Sequence, residues 1–238
     1  MSKPTGKKNY GSIPHLLGSK KDKTDKYITQ GQHNICSLRI RDKHDFVVVQ
    51  EKYDGSNVGV AKVRGYIVAL TRSGYEAHTS PYQQHHVFSD WVNRNMLVFD
   101  AILNEGERIC GEWMYQAHGL KYKIKGSAFV AFDLFNAANE RVLFNEFRQR
   151  IEDYQDKFHL AKTIWEGNVA CGIAQAFGLL RTEHPVTCLE KPEGAVWRVE
   201  RKGKVDFLAK FVRPDHIPGR YVPGIKGTKT VLNDFLTN

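Results

Sequence analysis

Short apolar runs bounded by glycine or polar residues recur along this chain, and they are separated by amphipathic stretches. The β-branched run at 46–50 predicts a buried strand that ends at Lys52. Alternating residues on both sides of Arg64-Gly65 predict a hairpin, because glycine accepts the positive φ of a tight turn. Further strands are expected over 108–113, 128–135, 194–200 and 205–212. Apolar residues at helical spacing predict helices over 82–103, 142–158 and 169–180.

This order of elements predicts an α+β fold of mostly antiparallel sheets flanked by helices. The chain lacks a Gly-x-Gly-x-x-Gly turn between a strand and a helix, which disfavours a Rossmann domain. Residues 1–30 contain seven lysines and two aspartates, with few apolar side chains. They predict a basic, poorly ordered or loop-rich arm, which either binds nucleic acid or is a solvated tail. Residues 31–238 are interpreted as a single domain.

The charge of the chain narrows the class of partner. Lys and Arg number 35 against 26 Asp and Glu, a formal net charge of +9. This excess suits a polyanion such as nucleic acid, although a generic basic surface has the same composition.

The four cysteines form no Cys-x-x-Cys pair, which argues against a disulfide scaffold or a cysteine zinc site. With no signal peptide and no apolar run near 20 residues, we expect a cytoplasmic protein away from membranes.

Six short patches carry the candidate chemistry. They occupy 51–57, 71–74, 111–113, 132–135, 193–198 and 207–210. Lys52 follows the first predicted strand and precedes a glycine turn, so it could be held at the floor of a pocket. Desolvation or a nearby cation, either a metal ion or Lys210, would lower the pKa of such a lysine and make it a nucleophile.

The ordered set of patches resembles the covalent nucleotidyltransferases, which include ATP-dependent polynucleotide ligases and mRNA capping enzymes. Residues 52–57, Lys-Tyr-Asp-Gly-Ser-Asn, resemble the motif of RNA ligases of the second phage type, Lys-x-(Asp or His)-Gly-(Ser or Thr)-Asn. DNA ligases and capping enzymes tend to carry arginine at the position of Asn57. The resemblance implies a nucleotidyltransferase (ATP-grasp-like) domain with a nucleotide cleft between its sheets.

The resemblance also implies roles for individual residues. Lys52 would carry AMP, and Lys210 and Glu193 would complete the catalytic set. Glu193 and Glu112 would bind Mg²⁺ or Mn²⁺. The residues implied to bind ATP are Glu51, Asp54, Gly55, Asn57, Arg72, Glu112, Phe132 and Arg198. The chain departs from the pattern at Val212, where relatives usually carry a second lysine.

The function expected from this resemblance is ATP-dependent RNA ligation in RNA repair. AMP would pass from Lys52 to a 5′-phosphate end, which a 3′-hydroxyl would then attack. Only 26 residues follow Val212, so no separate C-terminal oligonucleotide-binding domain is expected, and the basic surface or a partner protein would hold the substrate. A minimal ATP-dependent DNA ligase, a catalytically inactive end-binding protein and a guanylyltransferase remain as alternatives.

Overall fold

The structure is a computed structural model that describes residues 2–180, 183–222 and 230–236. Its helices are α1 (Gln30–Ser37), α2 (Gln83–Arg94), α3 (Met96–Ile102), α4 (Phe144–Ile151) and α5 (Ile173–Leu179). Its strands are β1 (Asp45–Lys52), β2 (Ser56–Val63), β3 (Tyr66–Thr71), β4 (Arg108–Trp113), β5 (Tyr122–Lys125), β6 (Phe129–Phe135), β7 (His159–Leu160), β8 (Thr163–Gly167), β9 (Val186–Cys188), β10 (Gly194–Arg201), β11 (Lys204–Val212) and β12 (Asp234–Leu236).

Two larger sheets build the body of the protein. A four-stranded sheet has the order β11-β10-β1-β8, and a five-stranded sheet has the order β3-β2-β4-β6-β7. The pairs in these sheets are antiparallel except for β6 with β7. A third sheet, β12-β5-β9, has three short strands. The predicted α+β class is therefore confirmed.

The pairing of β1 with β10 positions the end of the first predicted strand. Their antiparallel register runs without a shift from Asp45 opposite Arg201 to Lys52 opposite Gly194. A Cβ on Gly194 would lie 1.8 Å from the carbonyl oxygen of Phe211 on β11. Since no side chain fits there, glycine lets the three strands stay in contact beside Lys52.

The hairpin predicted at Arg64-Gly65 and the β10–β11 hairpin have turns with positive φ at two successive residues. Arg64 and Gly65 have φ of 53° and 77°, and Lys202 and Gly203 have 48° and 75°. This geometry matches the right-handed twist of the strands that each turn connects.

The predicted helices are present but shorter. The stretch 82–103 forms two helices, because Asn95 leaves helical geometry and its side chain donates to the carbonyl of Trp91 at 2.8 Å. The helix expected over 142–158 ends at Ile151 and continues as a single 3₁₀ turn. The helix expected over 169–180 begins only after Gly172. None of the helices in the described ranges is long and apolar enough to cross a membrane.

The N-terminal segment, residues 2–29, passes both larger sheets: the Tyr10 N–H donates to the carbonyl of Arg72, just after β3, and residues 14–16 lie beside β11. Residues 14–16 form two backbone hydrogen bonds with Lys210. The Lys210 N–H donates to the carbonyl of Pro14 at 2.9 Å, and the Leu16 N–H donates to the carbonyl of Lys210 at 2.8 Å. Leu16 is fully buried and Tyr10 is 6% exposed. This segment therefore forms part of the wall beside β11, while the division into an arm and a single domain stays a prediction.

Candidate active site

A cleft opens where β1 of the first large sheet leads into β2 of the second. Its volume is about 180 Å³, room for more than one or two water molecules. The structure brings most of the sequence-predicted site residues to it. Those that line it are Glu51, Lys52, Asn57, Arg72, Glu112, Phe132, Arg198 and Lys210.

Lys52 lies at the end of β1 and pairs with a carboxylate from the neighbouring strand. Its Nζ donates to Oε2 of Glu193 at 2.5 Å, because Gly194 stands opposite Lys52 in the sheet. Glu193 is only 6% exposed. The two residues that the resemblance made nucleophile and metal ligand are thus in direct contact.

The charge state of Lys52 differs from the sequence expectation. Burial works to lower the pKa of this amine, as expected, but the carboxylates of Glu193, Glu112 and Asp54 outweigh burial and raise the pKa above its ordinary value. The expectation of a lowered pKa was therefore wrong for Lys52 beside these carboxylates. It counted the cations near Lys52 and missed three carboxylates, which the fold gathers from different parts of the chain.

The turn after Lys52 is held by backbone contacts that require glycine. A Cβ on Gly55 would lie 2.8 Å from both Sδ of Met114 and the carbonyl oxygen of Trp113. The Gly55 N–H donates to Oε1 of Glu112 at 3.3 Å. Asp54 is fixed in the same turn, since its Oδ2 accepts from the Gly119 N–H at 2.8 Å. The turn therefore orients Asp54 and Glu112 together.

Two buried oxygen atoms at the cleft have no hydrogen-bond partner in the part of the chain that the structure describes. Oε1 of Glu51 and Oδ1 of Asn57 accept no hydrogen bond from the residues that the structure describes. The other oxygen of Glu51 lies 3.7 Å from Nζ of Lys162. Burial raises the pKa of Glu51 to about 7 and that of Glu112 to about 8. Unsatisfied buried acceptors are costly, so these atoms favour a bound ligand that donates to them.

One wall of the cleft is aromatic. The register of β4 against β6 shifts between Cys110 and Gly111. Phe132 therefore forms a β-bulge: it has no partner on β4, whereas its neighbours Ala131 and Asp133 do. This bulge turns Phe132 towards Tyr10, with ring centroids 5.0 Å apart, whereas Leu134 lies in the main core. A regular strand would place Phe132 and Leu134 on one face, and the bulge separates them. Phe132 remains positioned to stack on a flat ring.

Tyr10 is a cleft residue that sequence reasoning did not assign. Its hydroxyl donates to Oδ2 of Asp133 at 3.1 Å, and it lines the cleft beside Ile13. The signal in the sequence was an aromatic residue inside an otherwise polar segment, which the motif argument did not use.

The cationic residues of the cleft have different partners. Arg72 is exposed and its guanidinium donates to Oγ of Ser12 at 3.2 Å. Lys210 forms an ion pair with Asp25 at 3.2 Å, and Asp25 also contacts Nε2 of His15 at 2.8 Å. The N-terminal segment therefore offers a carboxylate to the lysine that the resemblance assigned to phosphate.

Arg198 has its nitrogens already engaged. They donate to Asp133 at 2.9 Å, to Glu200 at 2.6 Å and to the carbonyl oxygen of Val142. The guanidinium would have to release one of these partners to reach a phosphate, so the contact assigned to Arg198 stays a prediction.

Val212, where the family pattern has a second lysine, is covered by the N-terminal segment. Its backbone N–H donates to Oγ of Ser19 at 2.9 Å, and its carbonyl accepts from the Lys20 N–H at 3.0 Å. The Lys20 ammonium in turn donates to the carbonyl oxygen of His216. The segment thus brings a lysine next to the position where the strand lacks one.

A group of possible metal ligands lies beside Lys52. Asp54, Glu193 and His216 each offer one ligand atom, and these atoms lie within 4.8 Å of one another. Nε2 of His216 faces both carboxylates, 3.6 Å from Asp54 and 3.9 Å from Glu193, and a Cβ on Gly119 would fill the space beside this group. The residues therefore fit a divalent cation. Glu112 is outside this group, so its role as a metal ligand stays a prediction.

A sequence model of the RNA ligase family matches residues 45–212. The chain belongs to the RNA ligase family. The match runs from the start of β1 to the end of β11, so the family region includes the strands that build the cleft. A search of curated protein sequences finds no match to it.

Solved structures of RNA ligases share the fold. An archaeal ATP-dependent RNA ligase superposes with a TM-score of 0.53 at 17% identity, over 85% of this chain and 48% of its own. The RNA ligase of Naegleria gruberi with PPi gives 0.53 at 18% identity, over 84% of this chain and 58% of its own. A mutant of the Naegleria enzyme with ATP and Mn gives 0.50 at 17% identity, over 84% of this chain and 58% of its own. The chain spans about half of the length of the solved ligases that it matches.

Proposed function

We propose that the protein is an ATP-dependent RNA ligase that stores AMP on Lys52. The observation that carries this proposal is the cleft itself: in a member of the RNA ligase family, it gathers Lys52, its carboxylate partners, an aromatic wall and three further cationic residues, Arg72, Arg198 and Lys210. Solved relatives with ATP and Mn support ATP and a divalent cation, Mg²⁺ or Mn²⁺, as cofactors.

The first step would join ATP to Lys52. The neutral amine attacks the α-phosphorus, a P–N bond forms, and pyrophosphate leaves. Because Nζ holds its proton against Glu193 at 2.5 Å, that carboxylate is the nearest acceptor for the proton that the amine must lose. Lys210 and Arg72 would stabilise the charge on the phosphates, provided that Lys210 exchanges Asp25 for the nucleotide.

A divalent cation bound by Asp54, Glu193 and His216 would neutralise negative charge at the phosphates. The adenine would stack on Phe132. Donors on the nucleotide would satisfy the unpaired oxygens of Glu51 and Asn57.

Two further steps would complete the ligation. A 5′-phosphate oxygen attacks the phosphorus of lysyl-AMP, and the Lys52 amine leaves. A 3′-hydroxyl then attacks the adenylylated 5′-phosphate, the phosphodiester bond forms, and AMP leaves. The substrate would be RNA with 3′-hydroxyl and 5′-phosphate ends, as in the repair of broken RNA.

Covalent labelling tests the proposal. The wild type incubated with α-labelled ATP and Mg²⁺ or Mn²⁺ should show a labelled band on a denaturing gel, and Lys52→Ala should show none. Lys204→Ala, an exposed lysine at the start of β11, should be labelled like the wild type. Absence of label with either cation, or label that persists in Lys52→Ala, would overturn the proposal.

The valine at 212, where relatives usually carry a second lysine, gives one reason to test an inactive end-binding protein, which would bind RNA without becoming labelled. Ligation of matched nicked duplexes with RNA or DNA at the 3′-hydroxyl side separates the RNA ligase from a DNA ligase. Labelled GTP in the gel assay tests a guanylyltransferase.

A further inference from the structure

His216 is a buried side chain whose surroundings leave it without a hydrogen bond. It is 3% exposed, and Nδ1 has no partner in the described part of the chain. Nε2 lies 3.6 Å from Oδ2 of Asp54 and 3.9 Å from Oε1 of Glu193, too far for hydrogen bonds. Nε2, the nitrogen that faces both carboxylates, therefore makes no hydrogen bond with them, and a cation between the two carboxylates would give it a partner.

The two carboxylates near His216 are held so that each presents an oxygen to the same place. The Gly119 N–H fixes Oδ2 of Asp54 at 2.8 Å. Glu193 gives Oε2 to Lys52 and leaves Oε1 on the side of His216. Groups that orient metal ligands in this way are a regular part of protein metal sites.

The space beside the group is preserved by a glycine. A Cβ on Gly119 would lie 2.6 Å from Oδ2 of Asp54 and 2.8 Å from Cε1 of His216. Adjacent ligands of a cation bound at about 2.1 Å in octahedral geometry lie about 3 Å apart. The observed separations of 3.6 and 3.9 Å therefore need to close by less than about 1 Å.

The donor set points to a class of cation. Mg²⁺ prefers oxygen ligands and keeps several waters, whereas an imidazole nitrogen suits transition-metal ions. We propose that Asp54, Glu193 and His216 bind one divalent cation directly, and that His216 makes the site prefer Mn²⁺ or Co²⁺ over Mg²⁺. This inference rests on the proposed function for the role of the site, and it goes further by naming a nitrogen ligand and a cation preference.

Binding of Co²⁺ to the metal-free protein without ATP tests the proposal. The visible absorption of Co²⁺ should report about one ion per chain with nitrogen in its coordination shell. His216→Ala should lower the affinity for Co²⁺ at least tenfold, and Asp54→Asn, which keeps the shape of the side chain, should also weaken it. His44→Ala, a change of an exposed histidine, should bind Co²⁺ like the wild type. Circular dichroism melts check that each variant is folded.

Competition completes the test. In the wild type, Mg²⁺ should displace Co²⁺ only at a large excess, and His216→Ala should reduce that excess at least tenfold. Unchanged Co²⁺ affinity in folded His216→Ala would overturn the inference, even if lysyl-AMP forms normally. Conversely, Co²⁺ binding through His216 in a protein that forms no lysyl-AMP would overturn the proposed function and leave the metal site standing.

Discussion

At the scale of single residues, the cleft combines groups whose individual properties follow from burial. Three carboxylates raise the pKa of Lys52 above its ordinary value, and burial raises the pKa of Glu51 to about 7 although Lys162 partly offsets it. Buried oxygens of Glu51 and Asn57 have no hydrogen-bond partner among the described residues, and a ligand that donates to them would satisfy both.

The Phe132 ring should contribute to nucleotide affinity by stacking. We expect Phe132→Ala to weaken ATP binding about tenfold or more, since stacking of a base on an aromatic ring is worth roughly 1–3 kcal/mol. Phe132→Trp should retain most of the affinity. Tyr66→Ala, which removes an aromatic ring that is 74% exposed in the β2–β3 hairpin, is the control. Equal ATP affinity of Phe132→Ala and wild type in a binding titration would contradict the stacking role.

Glu51 should make the stability of the protein depend on pH. Burial raises its pKa to about 7, above the ordinary value of 4.5, so the folded state binds more protons than the unfolded state between these values. The favourable contribution of Glu51 to the free energy of unfolding is fully present below pH 4.5 and is lost as the pH rises through 7. The total change is about 3 kcal/mol.

Urea unfolding at a series of pH values measures this effect. The free energy of unfolding of the wild type should fall across the window, and Glu51→Gln should remove that part of the fall. A parallel pH dependence in the two proteins would rule out Glu51 as its source.

At the scale of secondary-structure elements, the β1–β10–β11 contact determines where Lys52 and Glu193 meet. Gly194→Ala should lower the free energy of unfolding by at least about 2 kcal/mol, because its Cβ would collide with the backbone of Phe211. Gly178→Ala is the matched control: its site in α5 is open, and alanine should raise stability by about 0.5–1 kcal/mol. Chemical denaturation measures both. A Gly194→Ala variant as stable as the wild type would contradict the described register.

Much of this architecture could be predicted from local sequence. The strands around Lys52 and the two hairpins follow from β-branched runs and from glycine at positive φ. The break at Asn95 and the bulge at Phe132 could not, because they depend on side-chain contacts and on pairing between strands. His216 was missed for a similar reason: a lone histidine outside every motif becomes notable only when the fold places it against Asp54 and Glu193.

At the scale of the whole molecule, the net charge of +9 should govern substrate affinity. If about four phosphates are contacted, RNA affinity should fall roughly 50-fold between about 50 and 200 mM salt.

Replacement of the exposed residues Lys7 and Lys8 distinguishes the two interpretations of the N-terminal segment, a nucleic-acid arm or a solvated tail. A nucleic-acid arm predicts that replacing both with alanine reduces the slope of log affinity against log salt by about 0.7 per lysine, and a solvated tail predicts no change. Fluorescence anisotropy of a labelled RNA measures the slope, with Lys204→Ala as the reference.

The most direct test of the account is mass spectrometry of the protein after incubation with ATP and a divalent cation. We predict that the intact chain gains the mass of one AMP and that fragmentation locates the adduct on Lys52. No gain in mass with either Mg²⁺ or Mn²⁺, or an adduct on a different side chain, would contradict it.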